Sequence, residues 1–243
     1  EDPLKEPGKK TQINENLWHL NCEAKTAFEE YARLLIGIGN LSNVFIKNKM
    51  ISYLVKAAPG IHELVLLGKI WHERDHYDHI IIDMPSTGYS LAMFQTTLNF
   101  SQLFSGGPMH RDAIQMIDTF GDPQKSGHII IALPEEMPLC ESLELNKHLL
   151  RFFPQNSCGF IVNKKFPIMD SNVDHPDTWK NPLPENATDY ANKRCTLEKY
   201  NLNFWDNCSI DYEQIDFFPP NLLNNHSYMV NQLAKQLEQK ALL

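Results

Sequence analysis

The residues best suited to chemistry stand together between Tyr77 and Gly88, where the sequence reads YDHIIIDMPSTG. Three consecutive isoleucines are typical of a strand buried on both faces, as in a parallel sheet. Asp83 follows these isoleucines directly. Because ligands of open α/β sheets gather at the carboxyl ends of strands, we expect Asp83 to lie at a ligand-binding edge.

The residues after Asp83 favour nucleotide chemistry. Pro85 cannot extend a strand ladder, and Ser86, Thr87 and Gly88 offer hydroxyls and a backbone amide at the predicted start of a helix. Nucleotide hydrolases use such a combination to hold a magnesium-bound water and to sense a γ-phosphate. The isolated pattern fits equally an ordinary strand whose final aspartate caps a helix, so both interpretations stay open at this point.

A second stretch, from His72 to His76, reads HERDH and matches the His-Glu-x-x-His motif of zinc proteases. In that motif two imidazoles one helical turn apart bind the metal, and the glutamate acts as base. Here His76 lies four residues before Ile80, at a predicted helix-to-strand junction, and no glycine with a third histidine follows. The context therefore argues against a protease.

Composition narrows the class of protein. The 22 Lys and Arg residues are outnumbered by 30 Asp and Glu residues, and the net charge of -8 argues against a nucleic-acid-binding surface. The five cysteines are widely spaced without a Cys-x-x-Cys pair, which indicates a reducing compartment and no disulfide framework. No signal peptide or membrane-spanning run is recognisable, so we predict a cytoplasmic protein. The chain opens with Glu1 instead of Met, as a fragment would.

The helices and strands that must position these residues are predicted from the periodicity of apolar residues and from the Gly and Pro residues that interrupt it. Residues 1–14 are predicted as a loop and residues 164–186 as a long polar, proline-rich loop or insertion. Strands are predicted over residues 16–22, 80–82, 128–133, 158–163 and 215–218. Helices are predicted over residues 24–36, 44–57, 61–74, 89–103, 109–120, 139–152 and 187–200, with a last one from 225 or 227 to 241.

Alternating strands and helices predict an α/β fold with a doubly wound, mostly parallel sheet and helices on both faces. The length of 243 residues suits a single domain, with a helical subregion over about 24–75 and 89–120.

The helices between residues 89 and 120 are rich in methionine and phenylalanine, and they admit two interpretations. Met is adaptable on promiscuous surfaces, so a groove for hydrophobic client helices is one hypothesis. Core packing is the favoured interpretation, because the residues recur at helical spacing. The residues concerned are Met93, Phe94, Phe100, Phe104, Met109, Met116 and Phe120.

With these elements placed, four blocks in order resemble the ArsA family of anion-transporting ATPases, which belongs to the deviant P-loop group and includes the ATPase that targets tail-anchored proteins. The blocks are residues 57–64 with 67–70, residues 77–88, residues 122–123 with 132–138, and residues 162–163. The second block is similar to the family's switch II segment, usually Asp-x-Pro-Ala-Thr-Gly-His.

The resemblance implies a P-loop NTPase-like fold that binds ATP and Mg2+. It implies that Asp83 accepts a hydrogen bond from a water on magnesium, and that Thr87 and Gly88 couple γ-phosphate loss to helix motion. It further implies that Asn163 bonds the adenine edge and that Pro219 packs on the ring. ATP, a membrane pump subunit or a hydrophobic client helix, and a second copy in a homodimer are the partners it implies.

The sequence also departs from the family. No Gly-Lys-Ser/Thr occurs, and the nearest approach, Gly8 to Thr11, lacks an upstream glycine and room for the preceding strand. Tyr89 stands where histidine is usual, and Ala92 where an arginine often lies. We therefore expect a family member that lacks the amino-terminal portion, neither binding ATP tightly nor hydrolysing it alone, whereas the full-length parent does. The alternative is a non-catalytic interaction module that binds a partner through the 89–120 helices.

Overall fold

The computed structural model describes residues 6–36, 60–103, 106–166, 185–217 and 226–239. The chain divides into two compact units, one formed by residues 1–126 with 151–155 and the other by residues 127–150 with 156–243. The elements in chain order are β1 Lys10–Asn14, β2 Leu17–Leu20, α1 Ala24–Ile36, α2 Ile61–Glu73, a 3-10 helix Arg74–His76, α3 Thr87–Leu103, α4 Pro108–Gly121, β3 His128–Ala132, α5 Glu136–Phe152, β4 Cys158–Lys165, α6 Glu185–Asn207, β5 Glu213–Asp216 and α7 His226–Gln239.

The first unit begins with an antiparallel hairpin of β1 and β2. A two-residue turn joins the strands, and the Asn14 side-chain oxygen accepts the backbone N–H of Asn16 at 2.9 Å. The prediction of a loop up to residue 14 is wrong for β1. Its residues are mostly exposed and polar, so the strand carries no apolar alternation and depends on the asparagine turn instead.

Helices α1 to α4 form the body of the first unit. Met93 and Phe94 of α3 and Met116 and Phe120 of α4 are all buried. The Phe94 ring meets Phe120 edge-to-face, with centroids 5.8 Å apart. These side chains form core and not an open groove, so the core-packing interpretation is confirmed for them.

The start of α2 depends on a glycine. Gly60 precedes the helix with a φ of 85°, in the left-handed region that side chains disfavour. A Cβ at this position would also clash with the side chain of Thr96 on α3. Gly60 therefore permits both the turn into α2 and the close approach of α3.

The second unit contains a parallel sheet in the order β3-β4-β5. Helix α5 connects β3 to β4, and α6 connects β4 to β5, as in a βαβαβ arrangement. Phe160, Ile161 and Val162 of β4 are all buried, so both faces of this strand are covered. Trp205 of α6 is fully buried, and its ring centroid lies 5.2 Å from that of Phe160. The predicted α/β class with a parallel sheet and flanking helices is confirmed.

The predicted strand over residues 80–82 is wrong. Residues 77–86 have neither helical nor strand structure, and the side chain of Ile81 is 93% exposed. β-branched residues favour an extended backbone, but a strand exists only where a neighbour completes its hydrogen-bond ladder. Within the described ranges no strand pairs with this segment.

Other boundaries differ by a few residues. α5 begins at Glu136, three residues earlier than predicted, because Pro138 is tolerated in a first helical turn. α6 continues to Asn207, where burial of Trp205 holds its last turns in the core. β5 spans Glu213–Asp216 instead of residues 215–218. The predicted helix over 44–57, Phe104 and most of the 164–186 loop lie outside the described residues.

Candidate functional site

Asp83 lies in the irregular segment of residues 77–86, between the 3-10 helix and α3. The expectation that it ends a buried strand is not met, because that segment joins no sheet in the described part of the chain. Its carboxylate is exposed, and α3 begins four residues later. Asp83 is therefore a solvent-accessible acid just ahead of a helix amino terminus.

Hydrogen bonds on the buried side of α3 hold its first turn in place. The carbonyl of Ser86 accepts the backbone N–H groups of Tyr89 at 2.9 Å and Ser90 at 3.1 Å. The buried Ser90 hydroxyl donates to the carbonyl of Pro85 and lies 3.2 Å from that of Ser86. Sequence reasoning missed Ser90, although its position four residues after Ser86 is the signal for such a backbone contact.

The outer side of the same turn is open. Thr87 is the first residue of α3, and Gly88 is exposed with no atom within 4 Å of the position that a Cβ would occupy. Tyr89 interacts electrostatically with Glu63 in the first turn of α2. Partial burial, and then the charge of Glu63, raise the pKa of the Tyr89 hydroxyl. The turn therefore has a supported inner side and room on its outer side.

The Asp83 carboxylate and the first backbone amides of α3 are the kinds of group that bind a magnesium ion together with a phosphate. Mg2+ keeps several waters and is usually bound by one or two carboxylates together with substrate phosphates. In the described ranges no group of three or more His, Cys, Asp or Glu side chains could hold an ion, whereas Asp83 offers one exposed carboxylate. The backbone amides of a helix amino terminus suit a phosphate. This set of groups resembles a partial phosphate and magnesium site.

Asn163 lies in β4, at an irregularity in the ladder with β5. The register shifts between Val162 and Lys165, and Lys164 has a φ of 58°, as at a β-bulge. The side-chain oxygen of Asn163 accepts the backbone N–H of Lys164 at 2.9 Å. The prediction that the strand ends at Asn163 is wrong, because the bulge lets it continue to Lys165.

Asn163 keeps the chemistry needed to bind an adenine edge. An asparagine oxygen accepts two hydrogen bonds and its amide nitrogen donates two, so the contact with Lys164 uses only part of this capacity. The side chain is half-buried. Pro219, the other predicted base contact, lies outside the described residues.

A partly buried ion pair supports the end of β4. The Glu198 carboxylate is 2% exposed and accepts both the backbone N–H of Phe166 at 2.8 Å and Nε of Arg194 at 2.8 Å. Arg194 also donates to Glu135 at 2.9 Å. The hydrogen bond that the Arg194 guanidinium donates to Glu198 is the main cause that raises the pKa of Arg194. Sequence reasoning missed this pair, although its spacing of four residues on a helix could have indicated it.

The His72–His76 stretch lies where α2 gives way to the 3-10 helix. Glu73, the base of the protease motif, bonds Lys69 at 2.7 Å and Lys10 at 3.0 Å. Burial alone would raise the pKa of Glu73, but the hydrogen bonds and charges of these two lysines outweigh it and lower the pKa. A carboxylate held by two ammonium groups is poorly suited to accept a proton from water.

Among the helices in the described ranges, none is long and apolar enough to cross a membrane.

Comparison with known proteins bears on the amino-terminal part of the chain. Residues 3–107 match the family model of the anion-transporting ATPases, a stretch that includes Asp83, Thr87 and Gly88 and ends before Asn163.

The similar curated proteins are also named as ATPases. ATPase BagA of Mycobacterium tuberculosis is 27% identical over 157 residues, which cover 61% of this chain and 45% of BagA. A Mycobacterium bovis protein that is also named as an ATPase matches with the same identity and coverage. The chain therefore spans about half the length of the curated relatives it matches. These matches confirm the resemblance seen in the sequence: residues 3–107 are similar to the anion-transporting ATPase family.

Proposed function

We propose that this chain forms part of an ATP-hydrolysing protein in which hydrolysis is coupled to movement of α3. The observation that carries the proposal is the family match over residues 3–107, which includes the exposed Asp83 and the open first turn of α3. ATP and Mg2+ belong to the proposal as ligands of the whole protein.

Each group of the segment has a role in this proposal. Bound with ATP, Mg2+ would supply the positive charge that offsets the phosphates. Asp83 orients a water by accepting its hydrogen bond, and Thr87 and Gly88 lie where loss of the γ-phosphate changes the contacts of the helix start. Ser90 keeps this first turn helical from the inside.

Coupling follows from the packing of α3. Its buried side chains Met93, Phe94 and Thr97 lie in the core of the first unit, and Phe94 contacts Phe120 of α4. Because packed cores shift between discrete arrangements, a displacement of the first turn would move α3 and its neighbours together. Asn163 and Pro219 complete the proposal as contacts to adenine.

The proposal is tested in the full-length protein by the substitution Asp83→Asn. We expect steady-state ATP hydrolysis to fall by roughly 100-fold or more, as when a preorganised electrostatic group is removed from an active site. ATP binding is expected to change little, because the affinity for the triphosphate comes mainly from the backbone amides and lysine of a phosphate loop and not from Asp83. The matched control is Asp78→Asn, an exposed aspartate of the same segment, which should leave the rate unchanged. Hydrolysis by Asp83→Asn at the parent rate would contradict the proposal.

The finer predictions belong to the whole protein. A homodimer, a membrane pump subunit or hydrophobic client helix as partner, and a cytoplasmic location stay predictions. The interaction-module alternative loses its main support, because the Met and Phe side chains proposed for a groove are largely buried.

A further inference from the structure

The pair His72 and His76 is not used by the proposed function. α2 ends at Glu73, yet Arg74 keeps right-handed helical angles (φ -54°, ψ -32°), so the chain continues to wind through the 3-10 helix. The two imidazole rings therefore lie side by side, with centroids 6.1 Å apart and planes at 65°. Both side chains are exposed.

We propose that His72 and His76 form a two-imidazole chelate for a divalent transition-metal ion such as Ni2+, Cu2+ or Zn2+, with water in the remaining positions. Metal–imidazole nitrogen distances are about 2.0–2.1 Å, so two nitrogens that share an ion lie roughly 3–4 Å apart. Since each nitrogen lies off its ring centre, rings at the observed separation can bring two nitrogens to that spacing by rotation of exposed side chains.

The residues around His72 and His76 favour metal binding and do not favour peptide hydrolysis. The Glu73 carboxylate is occupied by Lys69 and Lys10. The guanidinium of Arg74 lies 3.9 Å from the centre of the Trp71 ring and donates to the Trp71 carbonyl at 2.6 Å. No third His, Cys, Asp or Glu completes a site with this pair in the described ranges. The site is thus a surface chelate and lacks a free base.

The position of the chelate gives it a mechanical consequence. His72 belongs to α2, His76 ends the 3-10 helix, and the irregular segment that carries Asp83 begins at Tyr77. A metal bound to both rings would join the two helical turns and restrain the start of that segment. The inference does not depend on ATP hydrolysis, because it concerns only binding and local motion.

The test is calorimetric titration of the complete chain with Ni2+ and then Cu2+. Exposed Cys140 and Cys208 are first changed to serine, so that their thiols do not compete. Losing even an outer-shell partner of a metal site costs roughly 10–100-fold in affinity, so His72→Ala and His76→Ala should each weaken binding at least tenfold. His79→Ala and His148→Ala, at other exposed histidines, are the controls and should bind as the parent does.

Two further readouts sharpen the result. Cu2+ should bind more tightly than Ni2+, and its electron paramagnetic resonance spectrum should show nitrogen ligands that the double variant loses. Amide hydrogen exchange around residues 74–78 should slow when Ni2+ is added. Equal affinity in the parent and the His72→Ala, His76→Ala double variant would overturn the inference, as would a loss of binding in either control.

Discussion

At the scale of single residues, Glu198 is a charged side chain that is buried in the described part of the chain. Its carboxylate is nearly inaccessible to solvent. It accepts hydrogen bonds from the Arg194 guanidinium on α6 and from the backbone N–H of Phe166, just after β4. Removing one partner of a buried ion pair leaves the other without compensation, which is costlier than never having had the pair. Glu198 therefore maintains the strand end that follows the Asn163 bulge.

We expect Glu198→Ala to lower the free energy of unfolding by about 2–4 kcal/mol, somewhat below the full cost of breaking a buried pair, because Arg194 is 30% exposed and can partly rehydrate. Urea denaturation followed by circular dichroism measures the change. Glu144→Ala, on the exposed side of α5, is the control and should change stability by less than about 0.5 kcal/mol. An unfolding curve for Glu198→Ala that overlays that of the parent would contradict this role.

At the scale of elements, the Glu73 carboxylate of α2 forms an ion pair with the β1–β2 hairpin. Glu73 bonds Lys10 of β1 and Lys69 one turn earlier in α2, and Lys69 also reaches Glu30 of α1 at 2.6 Å. The Lys10 ammonium lies 4.7 Å from the centre of the Tyr77 ring, at the start of the segment that carries Asp83. These contacts join β1, α1 and α2 to the start of that segment.

This cluster predicts a pH dependence. The pKa of Glu73 is lowered in the folded chain from its ordinary value of 4.5, so its contribution to stability is fully present above that value. The contribution is lost as the pH falls through the lowered folded value, when the carboxylate takes up a proton. We expect Glu73→Gln to be less stable than the parent at pH 7 and the difference to shrink below about pH 4.

Thermal unfolding of both proteins between pH 3 and pH 7 checks the sign of this effect. A stability difference that stayed constant across this range would show that the carboxylate charge does not hold the hairpin. Glu29→Gln, on α1 outside the cluster, serves as the control and should track the parent at every pH.

At the scale of the whole molecule, the 243 residues contain the groups proposed to respond to nucleotide, but no Gly-Lys-Ser/Thr sequence. A phosphate loop supplies the backbone amides and the lysine that offset the charge of a triphosphate. Isothermal titration of this chain alone with ATP and Mg2+ should therefore give no binding in the micromolar range. A micromolar dissociation constant would show that the remaining groups suffice to hold the nucleotide.

The sequence predicts best what depends on neighbouring residues. The apolar spacing of Met93, Phe94 and Met116 indicates core packing, and α1 has the predicted bounds, because helical periodicity is a local property. The isoleucines at 80–82 mislead, since a strand requires a partner that sequence does not specify. The bulge at Asn163 and the hairpin strand β1 were missed for the same reason: each depends on how one strand meets another.

The isoleucines of β3 affect how the protein must be handled in solution. β3 ends the sheet order in the described part of the chain, and Ile129 and Ile131 are 58% and 63% exposed. An apolar strand at a sheet edge is a template on which other chains can add strands. Concentrated preparations of these 243 residues are therefore prone to aggregate through β3, and a lysine in place of Ile131 is the natural first step toward samples that stay monodisperse.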